Sequence, residues 1–238
     1  MESGVYVLGS QMNALTDRLQ IVAANLANAN STGFKRVVAT FAGEAAQTSS
    51  EPGGLAPLWP ELAGTSLDIS PGALRQTGRP LDLAVRGDAF FVVETTTGPL
   101  YTRKGRLFQN AQGELTDAAG NRYMADSGSL RIPETAREIT VQRNGEVLAD
   151  GQSLGRLALV DTPRTDMLVP VGAGLYRSDA PVRPAVGSEV VQGVVEESNV
   201  RPMEEMVALI DIMRAYDAGT KVLRKMDTLN DQLIKTAT

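Results

Sequence analysis

Apolar residues recur at Val5, Leu8, Met12, Leu15, Leu19, Val22, Leu26 and Ala29, three and four residues apart by turns. That spacing draws a narrow stripe along a helix, the kind that docks on another helix rather than on a sheet. The facing positions are mostly polar, among them Asn13, Asp17, Arg18, Gln20 and Asn25. The pattern predicts a helix that starts with Ser3 as N-cap and fails between Ala29 and Gly33. There Asn28, Asn30, Ser31 and Thr32 favour caps and turns, and Gly33 suits the left-handed residue that closes a helix. Such a helix is about 40 Å long at 1.5 Å per residue, well over the average of about 11–12 residues. A second helix is predicted from about Pro202 to Lys235. Met206, Leu209, Met213, Tyr216, Thr220 and Leu223 repeat the same steps, and Met226, Leu229 and Leu233 follow after a slip of one residue. Asn199 is a candidate cap and Pro202 fits the first turn. Glu204 and Glu205 complement the positive end of the helix dipole.

The pattern changes between the helices. Val37 to Pro80 carries Pro52-Gly53-Gly54, Pro57, Pro60, Pro71-Gly72 and Gly78, and reads as an extended connector. Trp59, the single Trp, is either a local packing anchor or a contact between subunits. From Leu81 onward the period is two. Leu81-Asp82-Leu83-Ala84-Val85 reads as a half-buried strand, Ala89 to Val93 as a buried one, and Tyr101 to Phe108 as another. Ile139 to Leu148 reads as a hairpin turning through a type I′ turn at Asn144-Gly145. Leu157 to Val160 is a further buried run, and Val190 to Val195 a last strand. Turn signals every 8–12 residues favour a sandwich or irregular barrel. The fold class expected is therefore α+β: long terminal helices pairing as an antiparallel, coiled-coil-like hairpin around a mostly β middle. The segments expected are 1–36, 37–80, 81–197 and 198–238.

Composition narrows the chemistry. The chain has 238 residues with no Cys and no His. Thiolate nucleophiles, Cys-ligated zinc and Ser-His-Asp triads are excluded, and the commonest metal ligand is missing. A net charge of −5 argues against nucleic acid as the main partner. Arg103-Lys104-Gly105-Arg106 reads as a solvated hairpin. The acidic pairs Glu196-Glu197 and Glu204-Glu205 read as solvent-facing or dipole-complementing residues, and Asp82 and Asp88 as acids that could flank a cleft. No arrangement with catalytic, cofactor or metal-ligand spacing emerges, so no enzyme activity and no cofactor is expected. The start lacks a signal-peptide pattern, and no apolar run is long enough to cross a membrane.

Asn25-Leu26-Ala27-Asn28, followed by Thr32-Gly33-Phe34-Lys35, resembles the signature of flagellar basal-body rod and hook proteins. Ser66 to Gly78 and Leu81 to Val93 are similar to the same family, as is Ser198-Asn199-Val200-Arg201-Pro202-Met203-Glu204-Glu205 with Arg214-Ala215-Tyr216. Two departures stand out: Ala89 where many members have Gly, and Arg201 where many have Asn or Asp before Pro202. The resemblance implies a structural subunit that polymerises through its terminal helices, with Val5, Leu8, Met12, Leu15, Leu19, Val22, Leu26, Met206, Leu209, Met213, Tyr216 and Leu223 in packing. It implies other rod proteins and copies of itself as partners, export by the flagellar type III apparatus without a cleaved signal peptide, and a place in the periplasmic rod. Length and the opening residues favour the short proximal-rod type. The alternatives are a distal-rod or hook-type subunit, or a soluble enzyme or carbohydrate-binding β domain dimerised by helices.

Overall fold

The computed structural model describes residues 2–41, 62–126, 128–162 and 167–236, with the side chains of 2–7, 41, 62–63, 227 and 229–236 left aside. Trp59 and the rest of residues 42–61 of the expected connector lie outside the described residues, as do the side chains of Val5, Leu229 and Leu233. Two long helices bracket a middle rich in short strands, an α+β fold. The chain divides into two compact units, one of residues 1–27, 37–65 and 201–238, the other of residues 28–36 and 66–200.

The first unit holds helix α1 (Glu2–Ala27) and helix α2 (Pro202–Thr236). Because α1 is already helical at Glu2, Ser3 is not its N-cap. In α1, Ala14 and Val22 are buried, and Leu8, Met12, Leu15, Leu19 and Leu26 are half-buried. Met12 lies against Gly219 of α2, where an added Cβ would come within 2.8 Å of the Met12 sulfur. Thr16 and Leu19 share a groove with Ile212, Met213 and Tyr216. The connector region is not without strands: Val37–Phe41 pairs with Leu62–Leu67.

The second unit is antiparallel throughout. Its main sheet runs in the order Leu168–Gly172, Leu175–Ser178, Gly98–Thr102, Phe90–Thr95, Arg122–Ala125, Leu115–Thr116, Phe108–Gln109. Ile139–Val141, Glu146–Ala149 and Gln152–Arg156 form a three-stranded meander. Leu83–Arg86 pairs with Glu189–Gln192, and Leu74–Gln76 with Val194–Glu196. Leu83, Phe91, Val93, Leu107, Leu115, Tyr123, Leu157 and Val190 fill one shared core. Phe91 meets Tyr123 edge-to-face at 5.8 Å, a favoured aromatic geometry.

The expected type I′ turn sits one hairpin later. At 142–145 the Gly145 N–H bonds the Gln142 carbonyl, and only Gly145 has a positive φ, the pattern of a three-residue loop. Asp150 and Gly151, at φ 47° and 81°, make the two-residue turn with both central residues left-handed.

Candidate functional site

The Thr-Gly-Phe-Lys turn leads to the most heavily built place in the second unit. Gly33 has φ 66°, and an added Cβ there would lie 2.3 Å from the Arg103 carbonyl carbon. Only glycine meets both demands. The turn is thereby pressed against the chain at Arg103, while the Gly33 N–H donates to the Glu196 carbonyl at 2.7 Å. Phe34 is buried beside it in sequence. Lys35 then points inward, and three charged side chains meet away from water: Lys35 is 0%, Glu196 2% and Arg103 2% exposed.

Their bonds are specific. Lys35 Nζ donates to Glu196 Oε1 at 2.6 Å and to the Ser70 carbonyl at 2.8 Å. The same Oε1 accepts the Gly72 N–H at 3.0 Å. Arg103 Nη1 stands 3.6 Å from Glu196 Oε2. Its guanidinium donates to the carbonyls of Val85 and Gly87 and lies over the Phe90 ring, 5.0 Å from the centroid. Phe90 meets Tyr176 edge-on, and the Tyr176 oxygen accepts the Lys35 N–H at 2.9 Å. Burial pushes the Lys35 ammonium below its ordinary pKa, opposed by the hydrogen bond and charge of Glu196. Burial likewise lowers Arg103, again opposed by Glu196. Burial pushes the Tyr176 phenol up to about 12. An isolated buried charge would cost far more than a neutral group, so the cluster is stable only as a set.

Asn199 extends the same construction. Its Oδ1 accepts the Arg36 N–H at 2.8 Å, and its Nδ2 donates to the Asp68 carbonyl at 2.8 Å. It does not cap α2, as the sequence suggested. The N-cap is Arg201, whose carbonyl accepts the Glu205 N–H while its guanidinium reaches Glu204 at 2.8 Å. Ser198 Oγ accepts the Val200 N–H, and Val200 is buried. Asn25, expected on the polar face of α1, is buried. It exchanges two 2.9 Å hydrogen bonds with the backbone of Val37, as a neighbouring strand would. Of the other motif residues, Leu26 is half-buried and Ala27 exposed, and Asn28 accepts the Ser31 hydroxyl at 3.2 Å. Thr32 lines a shallow cleft with Lys104, Arg106 and Phe108.

Several charged residues sit where the sequence did not put them. Glu196 is buried, not solvent-facing, and Arg103 belongs to the core rather than to a solvated hairpin; Glu205 is buried too, but in the first turn of α2, where it complements the dipole. Asp82 is fully buried, with Arg79 at 3.4 Å and Arg106 at 3.8 Å, whereas Asp88 is exposed, so the two do not flank a common cleft. Alternation along the last strand gives no signal for Glu196, because Val195 and Glu196 are both buried.

Helix α2 reverses this arrangement. Ile212 and Glu205 are buried, and Leu209, Gly219 and Leu223 are half-buried, which defines the inner face. Met203, Met206, Ile210 and Met213 are 73%, 44%, 48% and 56% exposed, with Val207 beside them. At 100° per residue these four span an arc of roughly 80° beside the inner face, with Met213 at the edge that borders the α1 groove. Of the expected packing residues, Leu209 and Leu223 lie on the inner face, and Met206, Met213 and Tyr216 are exposed.

Comparison with known proteins brings in the flagellum at three places. Residues 5–35 match the family described as flagella basal body rod protein. Residues 84–149 match the flagellar hook protein FlgE/F/G D1 domain, and residues 191–236 the flagellar basal body rod FlgEFG protein C-terminal. The flagellar basal-body rod protein FlgF of Caulobacter vibrioides is 33% identical over 227 residues, covering 94% of this chain and 93% of its own. FlgF of Mesorhizobium japonicum is 32% identical, with 99% and 98% covered. FlgG of Agrobacterium fabrum is 31% identical, with 94% and 95% covered.

Proposed function

Because the chain belongs to the flagellar basal-body rod protein family and is FlgF-like within it, we propose that it is a structural subunit of the rod that polymerises through its two terminal helices. The observation that carries this reading is the outer face of α2, where Met203, Met206, Val207, Ile210 and Met213 are exposed together. An exposed stripe of this kind on a long helix marks an association surface. Its partners in this proposal are copies of the chain and neighbouring rod proteins.

Within the subunit, α1 and α2 form an antiparallel, coiled-coil-like hairpin. The contact of Met12 with Gly219, and the groove that Leu19 shares with Ile212, support that pairing. Export follows the flagellar type III route, and the assembled position is the periplasm-spanning rod, of the proximal type. The role is structural, not catalytic. The Lys35–Glu196–Arg103 cluster serves to fix the turn that follows α1 beside the segment that precedes α2.

The test replaces Met206, Ile210 and Met213 by Glu together. The purified variant is expected to keep wild-type circular dichroism and melting, to fail in self-association or co-assembly with rod proteins, and to leave a strain lacking the wild-type gene non-motile. Full restoration of motility by the folded variant overturns the proposal.

A further inference from the structure

The outer face of α2 is distinctive in its chemistry as well as its polarity. The chain has eight Met and no Cys, so its only sulfur is thioether. Among the described side chains the exposed methionines are Met203, Met206 and Met213, and all three lie on that one face. Met12, Met124, Met167 and Met226 are half-buried. We infer that Met203, Met206 and Met213 form an oxidation site for peroxides, and that their conversion to sulfoxide blocks assembly of the free subunit.

The chemistry is a two-electron transfer. The thioether sulfur attacks one peroxide oxygen, the O–O bond breaks and an S–O bond forms. Hydrogen peroxide leaves as water after a proton shift, sulfur being oxidised and peroxide reduced. Reactivity follows access to the sulfur, so the three exposed residues precede the half-buried four. The product is a polar sulfoxide with a strong acceptor oxygen in place of a flexible apolar tip. On an interface built of Ile210, Val207 and three methionines, that oxygen would be buried among apolar side chains. Once the face is covered in a polymer the sulfurs are shielded, so the sensitive form is the subunit before assembly. Sulfoxide reductases reverse the change, which makes the site a switch rather than a lesion.

This inference rests on the reading of the α2 outer face as an assembly surface. The full-length subunit is treated with dilute hydrogen peroxide, mapped by mass spectrometry, and assayed for assembly before and after incubation with both methionine sulfoxide reductases. The expected order is oxidation at Met203, Met206 and Met213 first, a fall in assembled protein of about tenfold or more, a change of about 1.4 kcal/mol or more in the association equilibrium, and recovery after reductase. A triple variant, Met203→Leu, Met206→Leu and Met213→Leu, is compared with its own untreated sample and is expected to lose little on peroxide treatment. Undiminished assembly of the triply oxidised protein overturns the inference, as does an equal peroxide loss in the leucine variant. If the glutamate variant assembles normally, the reading of the face itself falls. If the glutamate variant fails but the sulfoxide form assembles, only the switch falls.

Discussion

Two regions of this subunit invert the usual placement of side chains. At the Thr-Gly-Phe-Lys turn, Lys35, Glu196 and Arg103 are charged and buried; on the outer face of α2, Met203, Ile210 and Met213 are apolar and exposed. Each inversion is costly by itself, and each is offset by a different agent. The cluster finds its partners inside the chain, through Glu196, Ser70, Val85 and Gly87. Among the described residues the α2 face has no such covering and, on the proposal above, finds it in neighbours. On that proposal, buried charge marks where the molecule closes on itself, and exposed apolar surface where others complete it.

The sharpest way to break this contrast is at Glu196. Glu196→Ala leaves Lys35 and Arg103 buried without their shared acid, and is expected to cost roughly 3–5 kcal/mol, read as a large drop in melting temperature. Adding Lys35→Met to Glu196→Ala is expected to recover only the Lys35 share of that loss, since Arg103 stays buried without its acid. Next comes Gly33→Ala, which forces a Cβ into the Arg103 backbone at φ 66° and is expected to destabilise by roughly 1–3 kcal/mol.

A third test uses pH. Unfolded Tyr176 titrates near 10 and the folded phenol at about 12. Between those values the folded chain keeps a proton that the unfolded chain releases, so this contribution is full below pH 10 and is lost as pH rises toward 12. Tyr176→Phe is expected to flatten that part of the alkaline decline, worth roughly 3 kcal/mol, in denaturant melts across the range. Lys35 has the opposite sign. Its lowered pKa is a cost in acid and neutral solution that is relieved as pH rises through the folded value toward 10.5.

A smaller effect is expected at the start of α2. Arg201→Asp supplies a side-chain acceptor at the N-cap and is expected to stabilise by about 1 kcal/mol, with loss of the exposed Arg201–Glu204 pair contributing little. The smallest change in monomer stability is expected for Met206→Glu, within about 0.5 kcal/mol, and it is paired with the largest loss of assembly. Thermal melts and sedimentation of the same samples read both sides of the contrast.

Much of this was legible beforehand. The helices follow from the three-four spacing, and Leu83, Val85, Phe91 and Val93 were marked for the core by alternation or by a short apolar run. Gly33 was marked as left-handed, although its reason is the backbone of Arg103, a neighbour 70 residues away that no local pattern reveals. The partners of Lys35 were hidden for the same cause. Glu196 and Tyr176 reach it from 161 and 141 residues along the chain. In α2 the apolar residues fall on two sides, Leu209, Ile212 and Leu223 inward and Met203, Met206, Val207 and Ile210 outward, so that spacing alone does not say which side meets α1. Asp150-Gly151 was passed over for Asn144-Gly145 because both dipeptides carry the same turn signal, and loop length between paired strands decides which of them is used.

The ties between residues 33–36 and 196–199 have a mechanical consequence. Gly33 bonds Glu196, Lys35 bonds the Glu196 side chain, and Arg36 bonds Asn199, so the two segments are stitched in the same chain direction. Gly33 and Arg36 pair with Glu196 and Asn199 at the same offset along the chain, so none of these ties can lengthen without drawing on the others. The two segments therefore move as one piece of the second unit.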